Sequence, residues 1–218
     1  MHASLLLTTI TLSSLVLAAP APIPPRLPFP FPHHFHSREN DSTTPPSCNL
    51  ATLTQPPNTL TPPTPSMHLA LIALGQGTQN YTCTAPSSPP SPIGALAQLY
   101  NASCALATNP RLPSTDLAIL QNPAAAIGSH FFADNTTPEF DIPLLGITRM
   151  QKVEEVDAPA PGNVKWLRLQ PQSAGTTSGV KMVYRLSTVG GLAPASCEGR
   201  AAGEVVTVGY EAQYWIYA

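Results

Sequence analysis

A chain of 218 residues has room for one or two domains, and this one carries 27 prolines, only 10 % charged residues and a formal net charge of −2. Ten Lys and Arg set against twelve Asp and Glu leave no basic face, so no nucleic-acid partner is expected. Proline at more than twice its usual ~5 % disfavours a helical bundle.

Residues 1–18 read as a secretory signal peptide. Leu5, Leu6, Leu7, Ile10, Leu12, Leu15, Val16 and Leu17 form the apolar stretch, and Val16 and Ala18 suit a cleavage site after Ala18. A membrane anchor needs ~20 apolar residues, and this run stops at the cluster that begins with Pro20. No later segment approaches that length, so the sequence predicts a secreted, extracellular protein without a membrane span. Residues 19–47 then read as a disordered or polyproline-like arm, because runs such as Pro28-Phe-Pro30-Phe-Pro32 remove backbone donors and fix φ. The arm is expected to be a spacer or, alternatively, a ligand for a partner's aromatic groove. Its His33-His34-Phe35-His36 tract lacks a scaffold to fix metal geometry, and no metal site is expected there.

Asn40, Asn80, Asn101 and Asn135 each begin an Asn-x-Ser/Thr sequon without proline, which fits glycosylation on a eukaryotic secretory route. The even set Cys48, Cys83, Cys104 and Cys197 implies two disulfides, and no Cys-x-x-Cys or interleaved Cys/His spacing points to a metal instead. Of the three pairings possible, Cys83–Cys104 across a presumed turn and Cys48–Cys197 as a long-range staple are expected.

The ordered domain is expected over residues 48–218 as a single all-β unit, an antiparallel sandwich or barrel with at most one or two short helices. Strands are predicted at Gly77–Thr84, Ile93–Asn101, Ser129–Ala133 and Val164–Leu169, with a short helix over Thr115–Gln121. Val180, Met182, Tyr184 and Leu186 share one face of a further strand, opposite Lys181 and Arg185. The last strand places Val206, Val208, Tyr210, Ala212, Tyr214 and Ile216 on one face. Gly190-Gly191 is read as a turn.

A set of words stands in order along this region: Gly75-Gln-Gly77-Thr-Gln79-Asn-Tyr81-Thr-Cys83, Ile127-Gly-Ser-His130-Phe-Phe132, Val164-Lys-Trp166-Leu167, Gly175-Thr-Thr-Ser-Gly179-Val180, Thr188-Val-Gly190-Gly191-Leu-Ala-Pro194, Cys197 and Val208-Gly-Tyr210-Glu-Ala-Gln-Tyr214-Trp-Ile-Tyr217. Together they resemble the DUF3455 family of small secreted fungal proteins with bacterial relatives, over about residues 48–218. Bacterial members continue the His130 word with Gly-Pro and Trp, where this chain has Ala133-Asp-Asn135. Fungal members often bear a malate dehydrogenase label, which the residues here do not support. A nicotinamide enzyme needs Gly-x-Gly-x-x-Gly between a strand and a helix, whereas Gly75-Gln-Gly77 runs on into Thr78, Gln79, Asn80 and strand pattern. No cofactor is implied.

Two readings of function follow. The first is a binding or cell-surface interaction module for a cell-wall glycan or surface protein, with Trp215 and Tyr217 on the outward face of the last strand as a stacking platform. The second is a hydrolase or lyase using His130 with Asp134, Glu139 or Asp141 as its carboxylate. Glu154, Glu155 and Asp157 form an acidic cluster read as solvated surface, since adjacent strand residues point to opposite faces.

Overall fold

The computed structural model describes residues 48–218, so the signal segment, the proline-rich arm, the His33–His36 tract and Asn40 lie outside the described residues. Eight strands follow one another: β1 (Leu69–Thr82), β2 (Ser91–Asn101), β3 (Ala126–Phe132), β4 (Pro138–Ile142), β5 (Gly146–Val156), β6 (Trp166–Pro171), β7 (Met182–Gly190) and β8 (Val205–Tyr217). Each pairs antiparallel with the next, and β8 returns to pair with β1, closing an eight-stranded barrel. Of the expected sandwich or barrel, the barrel is the outcome. Closure leaves the sheet without first and last edge strands. Two short helices, α1 (Ser103–Thr108) and α2 (Ser114–Leu120), fill the connection from β2 to β3. Among the described residues no helix is long and apolar enough to cross a membrane.

Two cores share the barrel wall. Ala73, Leu99, Phe140, Met150, Val183, Tyr210 and Tyr214 come from strands all round the sheet and fill the interior. Ile72, Leu74, Tyr184, Leu186, Trp215 and Tyr217 point the other way, into a second core roofed by Leu106 of α1, Leu117 of α2 and Leu60. Strands buried on both faces lose the simple alternation of a half-exposed strand. That is why β1 begins at Leu69, eight residues before the predicted strand, within the unbroken apolar run Leu69-Ala-Leu-Ile-Ala-Leu74. It also assigns the faces of β7: Met182, Tyr184 and Leu186 share the predicted face, which packs outward under the helices, while Val183 enters the barrel and Val180, expected on the first face, joins the barrel core.

The Gly75-Gln-Gly77 word lies in mid-strand, not in a phosphate-binding turn. A Cβ on Gly75 would sit 2.5 Å from the ring of Tyr214, and one on Gly77 would sit 1.9 Å from the carbonyl oxygen of Leu96. The glycines make room for an aromatic ring inside a small barrel and for close approach of β1 to β2.

The disulfides are Cys48–Cys104 and Cys83–Cys197, not the pairing expected from the sequence. Between Cys83 and Cys104 lies the whole of β2, 11 residues long, which at ~3.3 Å each carries Cys104 about 35 Å away. Bonded cysteines need Cα atoms within about 7 Å. Instead Cys83 leaves β1 beside the start of β8, where Thr82 pairs with Val205, and meets the buried Cys197 there. Cys104, on α1, returns to the other end of β1 and holds the segment that enters at Cys48.

Candidate functional site

His130 sits inside the barrel, 3 % exposed. Its ring stacks on Phe140 at 4.3 Å between centroids and meets Tyr214 edge-on at 5.3 Å. Nδ1 lies 2.9 Å from the Glu139 carbonyl oxygen; a carbonyl only accepts, so Nδ1 carries the proton. Burial pushes the imidazole pKa down to about 4, opposed by that hydrogen bond and assisted by the Arg185 guanidinium. The ring is therefore neutral at neutral pH.

Among the described residues no carboxylate joins it. His130 pairs across the sheet with Phe140, so Glu139 and Asp141 alternate to the opposite face. The Glu139 carboxylate accepts from Arg149 Nε at 2.7 Å. Asp134 is taken up by the amides and hydroxyls of Thr136 and Thr137, which hold its carboxyl down at about 2. The acid–base pair of the enzyme reading is not assembled.

A pH dependence follows from this burial. The folded pKa of His130 lies below its ordinary 6.5, so the unfolded chain takes up the proton first. The stability gained by keeping the ring neutral is complete above about pH 6.5 and lost as pH falls towards 4, amounting to about 3 kcal/mol across that window. Urea titrations at a series of pH values should show this slope, and His130→Phe should flatten it. An unchanged slope in the variant would place its origin elsewhere.

Trp215 is 1 % exposed and its Nε1 donates to Gln213 Oε1 at 3.2 Å. Tyr217 is also buried, edge-on to Tyr184. The predicted outward platform is thus corrected: that face of β8 is the floor of the second core. At Tyr217 this covered part of the face reaches an open groove. The Tyr217 hydroxyl accepts from Gln55 Nε2 at 3.2 Å and borders a groove of about 1060 Å³.

The groove runs between the segment 48–63 and residues Met67–Ala70 where β1 begins. Its polar groups come from Asn49, Thr54, Gln55, Asn58, His68 and Tyr217, and among the described residues no Asp, Glu, Lys or Arg lines it. The wall is fixed at several points. Cys48 is bonded to Cys104, Leu60 is buried, and Asn58 Oδ1 accepts from the Leu60 amide. The Thr61 amide donates to the Glu154 carboxylate, whose pKa is lowered chiefly by its bond from Arg168. The Thr61 carbonyl accepts from Tyr184 Oη at 2.7 Å, and His68 and Ala218 exchange two backbone hydrogen bonds. Glu154 thus braces the groove, while Glu155 and Asp157 pair with Lys152 and Lys165.

A family model described as a protein of unknown function (DUF3455) matches residues 63–218. The chain belongs to the DUF3455 family. No curated protein and no solved structure matches it. The DUF3455 match spans every strand of the barrel, His130 and Tyr217, but the groove wall from Asn49 to Pro62 precedes it. That wall is what the sequence reading of this DUF3455 chain missed. The signal was available in the polar side chains on either side of the proline pair in Gln55-Pro-Pro-Asn58, and in Cys48, whose disulfide ties the segment down. Of the sequon residues, Asn101 and Asn135 are exposed, and Asn80 is half-buried with its Oδ1 accepting from Thr78 Oγ1 at 3.0 Å.

Proposed function

We propose that this DUF3455 protein is a secreted, glycosylated binding module that holds a neutral cell-wall polysaccharide in the groove beside Tyr217. The observation that carries the reading is the groove's chemistry: amides, hydroxyls and an imidazole among leucine and proline side chains, with no charged side chain among the described residues. Uncharged polyols are recognised by such planar amides and hydroxyls over apolar surface. An anionic or cationic polymer would find no counter-charge. The two disulfides and the 1–18 signal pattern support an extracellular setting. Glycans at Asn80, Asn101 and Asn135 are compatible with the groove, since none of these residues lines it.

The enzyme reading loses its support because His130 is enclosed and its candidate carboxylates face away. Depletion of the full secreted chain from solution by insoluble β-glucan or chitin tests the proposal. Binding should fall about tenfold when Gln55 and Asn49 are together changed to Ala, the equivalent of one or two lost hydrogen bonds. Absence of depletion by any neutral polysaccharide, or depletion indifferent to the substitutions, would refute it. Retention only on wall proteins would show a surface-protein partner in its place.

A further inference from the structure

A second, smaller cleft lies on the outer surface of the barrel. Here β8, β1 and the end of β7 pass beside the start of α2, and the cavity measures about 370 Å³. Gln76 and Glu211 face each other across β1 and β8, and Gln76 Nε2 donates to Glu211 Oε1 at 3.4 Å. The other carboxylate oxygen, Oε2, is buried and has no hydrogen-bond partner among the described residues. Among the described residues no Lys or Arg lines the cleft. A carboxylate that lines a cleft with one oxygen unpartnered and no counter-charge beside it is costly to maintain, and it points to a ligand that brings a positive charge.

The surrounding backbone keeps the cleft open. Gly209 is a lining residue, and a Cβ there would meet nothing within 4 Å. On the β7 side the register with β8 shifts between Leu186 and Val189, so that Val189 stands opposite Glu211. Within this bulge Ser187 adopts a left-handed φ of 49°, strained for a side-chain-bearing residue. Its carbonyl accepts from Ser114 Oγ at 2.6 Å, which fixes the start of α2 and sets Thr115 at the cleft.

We propose that this cleft binds a primary ammonium group. The Glu211 carboxylate supplies charge and an acceptor. The Gln76 amide nitrogen is committed to Glu211, leaving its carbonyl oxygen as a second acceptor, and the Thr115 hydroxyl is a third. An ammonium carries one positive charge and three donors, and it matches this set. A neutral sugar hydroxyl brings no charge to Glu211, and an anion is repelled. The ammonium could belong to an alkyl chain, as in a lysine side chain, or to an amino sugar.

The test uses the full oxidised chain, with backbone amide NMR shifts followed during titration with n-butylammonium, glucosamine and, as a neutral control, glucose. Saturable shifts at Gly77, Gly190, Gly209 and Glu211 are expected with at least one amine and not with glucose. A preference for n-butylammonium assigns the lysine-like source and a preference for glucosamine the amino sugar, each in support. Affinity should fall at least tenfold in Glu211→Gln, which keeps shape and removes charge, and by less in Gly209→Ala, which keeps charge and adds one methyl group to the cleft. Polysaccharide depletion through the groove should be unchanged in both variants, which separates this site from the first. No saturable amine shifts, shifts equal in Glu211→Gln, or an equal response to glucose would overturn the proposal.

Discussion

Truncating Tyr214 to alanine should cost about 3 to 5 kcal/mol of stability, and truncating its neighbour Trp215 should cost as much. On a half-exposed strand, adjacent side chains would differ sharply, one in the core and one in water. Here both faces are covered. Tyr214 is wholly buried in the barrel, edge-on to Phe140 at 5.0 Å, with its hydroxyl 2.8 Å from that of Tyr210. Trp215 belongs to the second core with Ile72, Leu106, Leu117 and Tyr184. Each loss is a large fraction of the ~5–15 kcal/mol that holds a typical domain. Denaturant midpoints of the two variants, with disulfides intact, should fall together, and secretion yields with them. A cost below about 1 kcal/mol for Trp215→Ala would mean that its face is solvated.

The second large effect concerns the long disulfide. Cys83 and Cys197 are separated by 114 residues and Cys48 and Cys104 by 56. In the chain-entropy description these closures restrict the unfolded chain by roughly 5 and 4 kcal/mol respectively. Replacing Cys83 and Cys197 together by Ala should therefore destabilise the barrel the more strongly, because it also opens the small cluster with Tyr81 and Val206 where β1 and β8 meet. Removing Cys48 and Cys104 should chiefly loosen the groove wall and weaken polysaccharide retention. Peptide mapping of the unreduced protein should return these two bonds; a Cys83–Cys104 peptide would contradict the strand order.

Much of the barrel was legible in the chain. The period-two runs of β7 and β8 and the positions of β2, β3 and β6 follow from side-chain alternation, and α2 from the stop at Asn122-Pro123. What alternation cannot convey is which face looks where. Trp215 and Tyr217 read as outward because β8 has two faces and only one was assigned to a core; the helices and the 50–63 segment that cover the other are remote in sequence. β4 and β5 escape notice because Glu139 and Asp141 read as partners for His130, and Glu154 and Glu155 as solvated surface, when all four lie on paired strands. The disulfide pairing depends on the length of β2, which carries Cys104 to the far end of β1 from Cys83. Glu211 stood out in no pattern; its significance arises only from the glycines, the bulge and the helix start that the fold brings round it.

The most direct measurement is amide shift mapping of the full chain with a soluble neutral glucan or chitin oligosaccharide. The account places the shifts along Asn49–Asn58, His68 and Tyr217, around the mouth of the groove, with His130 and the barrel interior silent. Shifts centred on His130, Phe140 and Tyr214 would mean that the barrel opens to admit the ligand, and would contradict both the groove and the structural role given to His130.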